Sequence, residues 1–157
     1  MTAATAVMAI EQPATRHQDG KTEVFDPIRK RYVALTPEEW VRQQTIVLLH
    51  DVYGYPLELM QVEAELKLNG LTRRCDVVVY GRDVRPLMIV ECKKETVPLS
   101  QKVVDQACRY NIGLRVPLLL LTNGVQHLCL HVDFAQKRLV QVALPRWEQL
   151  GDNAAMW

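Results

Sequence analysis

Apolar and polar positions change rhythm several times along this chain, and each change marks an element. Trp40, Val41, Thr45, Leu48 and Val52 recur at helical spacing. Thr36-Pro37-Glu38-Glu39 opens that helix, with Thr36 as N-cap, Pro37 at the first helical position and Glu39 closing a capping box. Gly54-Tyr55-Pro56 stops it. Residues 59–68 alternate, with Val62, Ala64, Leu66 and Leu68 inward and Glu63, Glu65 and Lys67 outward, and Asn69-Gly70 follows as a turn. Residues 75–80 and 87–93 are nearly continuous apolar runs around a loop at 81–86, the pattern of central strands covered on both faces. Residues 100–111 are amphipathic, with Val103, Val104, Ala107 and Cys108 on one side and Gly113 expected as the C′ residue. Residues 116–122 and 125–132 flank Asn123-Gly124 and predict a hairpin with a two-residue turn, while 137–144 predict an edge strand. Upstream, residues 23–33 predict a short hairpin turning at Asp26-Pro27. The order is helix, three strands, helix, then two or three strands: an α/β (α+β) fold with a mixed sheet flanked by helices.

Composition narrows the class. At 157 residues the chain has the length of one domain. Residues 1–22 are expected as a flexible tail, 23–145 as the folded domain and 146–157 as a C-terminal tail. Hydrophobic residues at 48% and charged residues at 24% exclude wholesale disorder and a disulfide miniprotein. The balance of 19 basic against 18 acidic residues gives a net charge of +1, so bulk charge does not mark a nucleic-acid binder. Four cysteines without CxxC spacing, no positive n-region at the N-terminus and no apolar run near ~18 residues lead us to expect a reduced, cytoplasmic protein without a membrane span. Phosphate-loop, dinucleotide, zinc-protease and hydrolase-elbow motifs are missing.

Asp76 and the triplet Glu91-Cys92-Lys93 carry the sharpest chemistry. If Tyr80 pairs with Leu87 across the loop, an antiparallel register sets Asp76 opposite Glu91, where Cβ atoms lie roughly 4.5–5.5 Å apart. Glu91 and Lys93, two apart, share a face. Two carboxylates at the open end of a hairpin suit Mg²⁺, which takes few protein carboxylates and keeps several waters. Lys93 beside them is placed to orient or help deprotonate an attacking water. A second triplet, Glu65-Leu66-Lys67 with Asp51 upstream, shows that composition alone also yields the pattern. Context separates the two. Asp51 falls at a helix end, whereas Glu91 ends a buried run, where a charge is costly unless something pairs it.

Four segments then occur in order: Phe25-Asp26-Pro27-Ile28-Arg29-Lys30, Thr36-Pro37-Glu38-Glu39-Trp40-Val41-Arg42-Gln43, Cys75-Asp76-Val77-Val78-Val79-Tyr80 and Val90-Glu91-Cys92-Lys93. The set resembles the N-terminal nuclease domain of the R (restriction) subunit of type I restriction enzymes, a branch of the PD-(D/E)xK nuclease superfamily, over roughly residues 24–133. The resemblance implies a restriction-endonuclease-like αβββαβ core, Mg²⁺-dependent phosphodiester hydrolysis and DNA as substrate. In it, Asp76, Glu91 and Lys93 match the core motif, and Glu39 matches the acidic residue that many members carry on the first helix near the metal. Gln106-Ala107-Cys108-Arg109-Tyr110 matches the QxxxY motif on the helix after the ExK strand. Cys75 stands where the superfamily's namesake proline would be, and the length leaves no room for the helicase motor of an R subunit.

Several residues carry an ordinary reading beside the chemical one. Glu39 serves a capping box. Gln106 and Tyr110, with Lys102 and Arg109 nearby, form either a DNA-facing stripe or a solvated helix face. Arg74, following Arg73, and Lys94, following Lys93, bring cations near the carboxylates for phosphate contact or serve as surface filler. His127, Cys129 and His131 share a strand face but lack a fourth zinc ligand, so half-buried strand residues are the expectation. The leading expectation is a DNA endonuclease using Mg²⁺, with Mn²⁺ as a substitute. The alternative is a catalytically silent nucleic-acid-binding or assembly module that works with subunits of a restriction or other defence complex. An enzyme acting on RNA or branched DNA is a third reading.

Overall fold

The computed structural model describes residues 11–68 and 70–150. Expectations for residues 1–10, Asn69, the side chain of Leu68 and residues 151–157 lie outside the described residues. Strands β1 (Thr15–Gln18), β2 (Lys21–Asp26) and β3 (Arg31–Ala34) form a three-stranded antiparallel sheet. Helix α1 (Pro37–Val47) follows and runs on through a π-helical turn at Leu48–Val52. A six-stranded sheet then builds from β4 (Met60–Leu68), β5 (Leu71–Tyr80), β6 (Pro86–Cys92), β7 (Leu118–Thr122), β8 (His127–Asp133) and β9 (Arg138–Val142), hydrogen-bonded in that order. All neighbours are antiparallel except β6 and β7, which run parallel because α2 (Gln101–Asn111) crosses over between them. Helix, meander, crossover helix and parallel strand give the expected αβββαβ order.

The apolar runs of β5, β6 and β7 are buried on both faces, as a sheet between two helices requires. One face packs Val77, Val79, Met88, Val90 and Leu120 against Val41 and Ile46 of α1 and Leu49 of the π-helical turn. The other packs Val78, Ile89, Leu119 and Leu121 against Ala107 and Cys108 of α2. Each such side chain contributes about 1.5–3 kcal/mol through burial. All four cysteines are free and buried within these layers.

The structure corrects several expectations. Residues 15–22 belong to paired strands, because Asp19 and Gly20 both adopt positive φ and turn β1 back onto β2. At the other end, α3 (Trp147–Leu150) carries the packed unit past residue 145: Trp147 and Leu150 are buried, and the Trp147 ring lies 5.5 Å from Tyr55. Gly113 is not a left-handed C′ residue. A 3₁₀ turn extends α2, Arg115 takes the left-handed conformation, and a Cβ on Gly113 would meet Leu71 Cδ1 at 2.6 Å. The β7–β8 connection is longer than two residues, because Asn123 Oδ1 accepts the N–H groups of Val125 and Gln126 and holds a four-residue loop.

The most consequential departure lies in β4 and β5. Strict alternation puts Val62 and Ala64 on one face, yet Val62 joins the α1-side core and Ala64 the α2-side core. Val77 and Cys75 divide in the same way on β5. Between the pairs Val62↔Val77 and Ala64↔Cys75 stand Glu63, with φ at +52°, and Asp76. The pleat reverses at these two acidic residues.

Candidate active site

The β5–β6 register is the expected one at its centre: Val77↔Val90, Val78↔Ile89 and Val79↔Met88, so its continuation sets Asp76 opposite Glu91. Only the outer end differs, where a bulge pairs Tyr80 with Pro86 instead of Leu87. Asp76 Oδ2 accepts the Cys92 backbone N–H at 2.8 Å, tying β5 to the residue after Glu91. Burial pushes the Asp76 carboxyl above its ordinary value, the Cys92 N–H and Arg42 pull it down, and the neighbouring Glu91 and Glu38 charges add to the net rise.

Two guanidinium systems serve the two carboxylates. On the α2 side, buried Glu91 accepts through Oε1 from Arg73 Nη2 at 3.0 Å and Asn111 Nδ2 at 2.9 Å. The Arg73 guanidinium in turn lies 4.5 Å from the centre of the Tyr110 ring. On the α1 side, Arg42 reaches Asp76 Oδ1 at 3.5 Å, Glu39 Oε2 at 3.5 Å and Glu63 Oε1 at 3.6 Å. Arg29 bridges Asp26, at 2.5 Å, and Glu39, and approaches Glu63 at 3.7 Å. Arg74 closes on Glu63 at 3.1 Å.

This network follows from local chain chemistry. Asp26 Oδ1 accepts the N–H groups of Ile28 and Arg29, which shapes the Pro27–Lys30 turn and aims Arg29 at the start of α1. Burial works to raise the Asp26 carboxyl, but hydrogen bonds from Arg29 and Ile28 outweigh it and hold the pKa below the usual range. Glu63 also ends lowered: burial opposes ionisation, while Arg42, Arg74 and Arg29 favour it more strongly.

Among the sequence-predicted residues, Asp76 and Glu91 fall opposite each other in the continued β5–β6 register, Asp76 facing Arg42 on the α1 side and Glu91 facing Arg73 and Asn111 on the α2 side. Lys93 follows directly, half-buried, with its N–H bound to Thr122 and no side-chain ion pair among the described residues. Glu39 connects to Asp76 through Arg42, not by direct contact. Its capping box is half made: Thr36 Oγ1 accepts the Glu39 N–H at 3.1 Å, whereas the Glu39 carboxylate is taken by Arg29. Lys102, Gln106, Arg109 and Tyr110 line an open depression of about 550 Å³ along α2. Lys94 is exposed, and Arg74 turns to Glu63 on the other side of the sheet. The competing triplet is ordinary surface: Asp51, Glu65 and Lys67 are all exposed. His127 binds Thr122 at 2.7 Å, and among the described residues no group of three His, Cys, Asp or Glu is set to hold a metal.

Sequence reasoning missed Arg42, Gln43, Glu63 and Asn111. The first two are buried on α1 despite being polar, and Asn111 is buried at the end of α2. A signal existed in the first case, since Arg42 follows directly on the apolar face marked by Val41. Glu63 is exposed, as the alternation predicts, but nothing in a regular alternating strand signals its left-handed backbone or its three arginine partners.

No curated protein sequence matches the chain. Among solved structures, a fragment assigned as an HsdR subunit of a type I restriction enzyme from Vibrio vulnificus YJ016 matches with a TM-score of 0.53 and 20% identity. That match covers 78% of this chain but 26% of the other, so the chain spans about a quarter of that protein's length. A DUF820 protein from Anabaena variabilis ATCC 29413, assigned as a nuclease, matches with a TM-score of 0.47 and 10% identity over 90% of this chain and 85% of that one. The profile of the family described as Type I restriction enzyme R protein N terminus matches residues 37–145, from the first residue of α1 to beyond β9, and the chain belongs to that family.

Proposed function

We propose that this domain hydrolyses phosphodiester bonds in DNA at Asp76, Glu91 and Lys93, with Mg²⁺ as the metal and Mn²⁺ as a substitute. The observation that carries the reading is the Asp76–Cys92 hydrogen bond, which ties a half-buried strand carboxylate to the backbone beside the buried Glu91 carboxylate. The donor set fits the ion. Glu91 Oε2 accepts no hydrogen bond among the described residues, and Asp76 Oδ1 has only the 3.5 Å approach of Arg42. Two hard oxygens complemented by water match the coordination habit of Mg²⁺. When bound, the ion would supply charge stabilisation for the phosphoryl oxygens.

The chain's own groups supply the rest. The half-buried Lys93 ammonium beside β6 orients the attacking water or holds its proton. Along α2, Lys102 and Arg109 offer cations to the phosphate backbone, while Gln106 and Tyr110 offer hydrogen bonds to phosphate or sugar. Exposed Lys94 adds charge after β6. The family supports a place for this domain in a restriction complex, whose other subunits would be its partners. A catalytically silent assembly module is the second reading, favoured by Arg73 and Asn111 holding Glu91 as a structural ion pair.

The test is cleavage of linear, nicked and single-stranded DNA with Mg²⁺ or Mn²⁺ and then with chelator. Cleavage lost on chelation and in both Asp76→Ala and Lys93→Ala supports the nuclease. Unchanged activity in either variant sinks the site assignment, and DNA binding without cleavage of any substrate favours the silent module.

A further inference from the structure

Arg73 stands between buried Glu91 and the open face of α2. On β5 it points to the α2 side, while the adjacent Arg74 points to Glu63 on the other. Its guanidinium has two neighbours of different character. Nη2 donates to Glu91 Oε1 at 3.0 Å, and the central carbon lies over the Tyr110 ring, 4.5 Å from its centre. Tyr110 is 52% exposed and lines the depression along α2 with Lys102, Asp105, Gln106 and Arg109. That open face and Glu91 therefore meet at Tyr110, and Arg73 is the charge held there.

The pairing with Glu91 is incomplete. A guanidinium grips an oxyanion best through two parallel N–H groups, yet here one nitrogen is used, and Nε is buried with no hydrogen bond among the described residues. A phosphodiester offers two oxygens for such a fork, and turning outward over the Tyr110 ring brings Nε to it. The Arg73 side chain is 30% exposed against 9% for Glu91, so the cation can be drawn out while the carboxylate stays. Asn111 holds the carboxylate without help from Arg73: its Nδ2 donates to Glu91 Oε1 at 2.9 Å and to the Ala107 carbonyl at 2.7 Å. The ring supports the guanidinium in either position.

We propose that Arg73 is a latch exchanged by substrate: a backbone phosphate of DNA lying along α2 takes the guanidinium from Glu91 and releases that carboxylate to act with Asp76. This rests on the reading of Asp76, Glu91 and the α2 face as a DNA-cleaving site. Before DNA arrives, Arg73 neutralises Glu91. With Arg73 on phosphate, Glu91 keeps the Asn111 hydrogen bond and regains its uncompensated charge. DNA binding and the freedom of Glu91 are thereby coupled, and the coupling runs both ways, so that removing the Glu91 charge tightens DNA binding through Arg73. A purely structural ion pair has no such dependence.

The experiment measures duplex DNA binding by fluorescence anisotropy over a range of salt, without divalent ions, so that neither cleavage nor metal takes part. Arg73→Gln should reduce the slope of log affinity against log salt by about 1, the loss of one phosphate contact. Glu91→Gln should bind duplex about tenfold tighter than Asp76→Asn, which removes an equal charge that faces Arg42 instead. With Arg73→Gln added to each, that advantage should vanish. An unchanged slope, or an advantage that persists without Arg73, overturns the proposal. Inorganic phosphate should compete no better than chloride at equal ionic strength, and stronger competition marks a free-phosphate site and overturns the assignment to DNA. Should Arg73→Gln fail to fold, the comparison of Glu91→Gln with Asp76→Asn decides, and equal affinities overturn the latch. Wild type binding no duplex at any salt refutes the underlying DNA reading, and the latch falls with it. Duplex binding by wild type with an unchanged slope in Arg73→Gln refutes the latch and leaves that reading standing.

Discussion

Removing Arg73 should expose what holds the Glu91 side chain inside the protein. Glu91 is 7% exposed, and its Oε1 depends on Arg73 Nη2 and Asn111 Nδ2. Breaking a fully buried pair from one side costs about 3–5 kcal/mol. The Arg73 side chain is 30% exposed, so water can reach part of the vacated space, and Asn111 stays behind. These reduce the expected cost to about 2 kcal/mol. Loss of the stacking on Tyr110 adds about 0.5–1 kcal/mol. Arg73→Ala should therefore lose about 2–3 kcal/mol in urea unfolding with unchanged m-value, or about 5–10 °C in Tm at this chain length. Glu91→Gln removes the charge that Arg73 neutralises, so the double variant should be more stable than the two single costs imply, by about 1–2 kcal/mol of coupling. An Arg73→Ala cost below about 0.5 kcal/mol, or zero coupling, would refute the assignment of Arg73 as the counter-ion of Glu91.

Two further outcomes follow from the α1-side cluster. Glu63→Gly and Glu63→Ala both lose the contacts to Arg29, Arg42 and Arg74, but glycine also relieves the left-handed backbone, so Glu63→Gly should be the more stable by about 1 kcal/mol in urea unfolding. Asp26 and Glu63 have lowered pKa values when folded, so their contribution is present above their ordinary 3.8 and 4.5 and is lost as pH falls through the lowered values. Urea midpoints measured between about pH 2 and pH 6 should fall on acidification, less steeply in Asp26→Asn, and equal slopes would contradict the Arg29 clamp.

The layered fold was legible because its central strands are long, apolar and doubly covered, and because Thr36 and Pro37 mark the first helix start. The β5–β6 register followed from one assumed pair at the loop, and the bulge at Tyr80 left the inner pairs where that assumption put them. What stayed hidden was whatever reverses a local rule for tertiary reasons. The pleat reversal at Glu63 and Asp76 is invisible to period-two counting, which rightly sets Glu63 outward but gives no sign of its left-handed backbone. Arg42 and Gln43 read as polar helix positions until β4 and β5 bring carboxylates over them. Arg73 was noticed as a cation near Asp76, yet its partner is Glu91, a choice fixed by Asn111 and Tyr110 on α2.

The most direct test of the site is anomalous scattering at the manganese edge from crystals of the wild-type protein soaked in Mn²⁺. One peak about 2.1 Å from oxygens of both Asp76 and Glu91 is the expected result, with the Arg42 guanidinium still among Glu39, Glu63 and Asp76. No peak between the two carboxylates, or a peak at His127 and His131 instead, would contradict it.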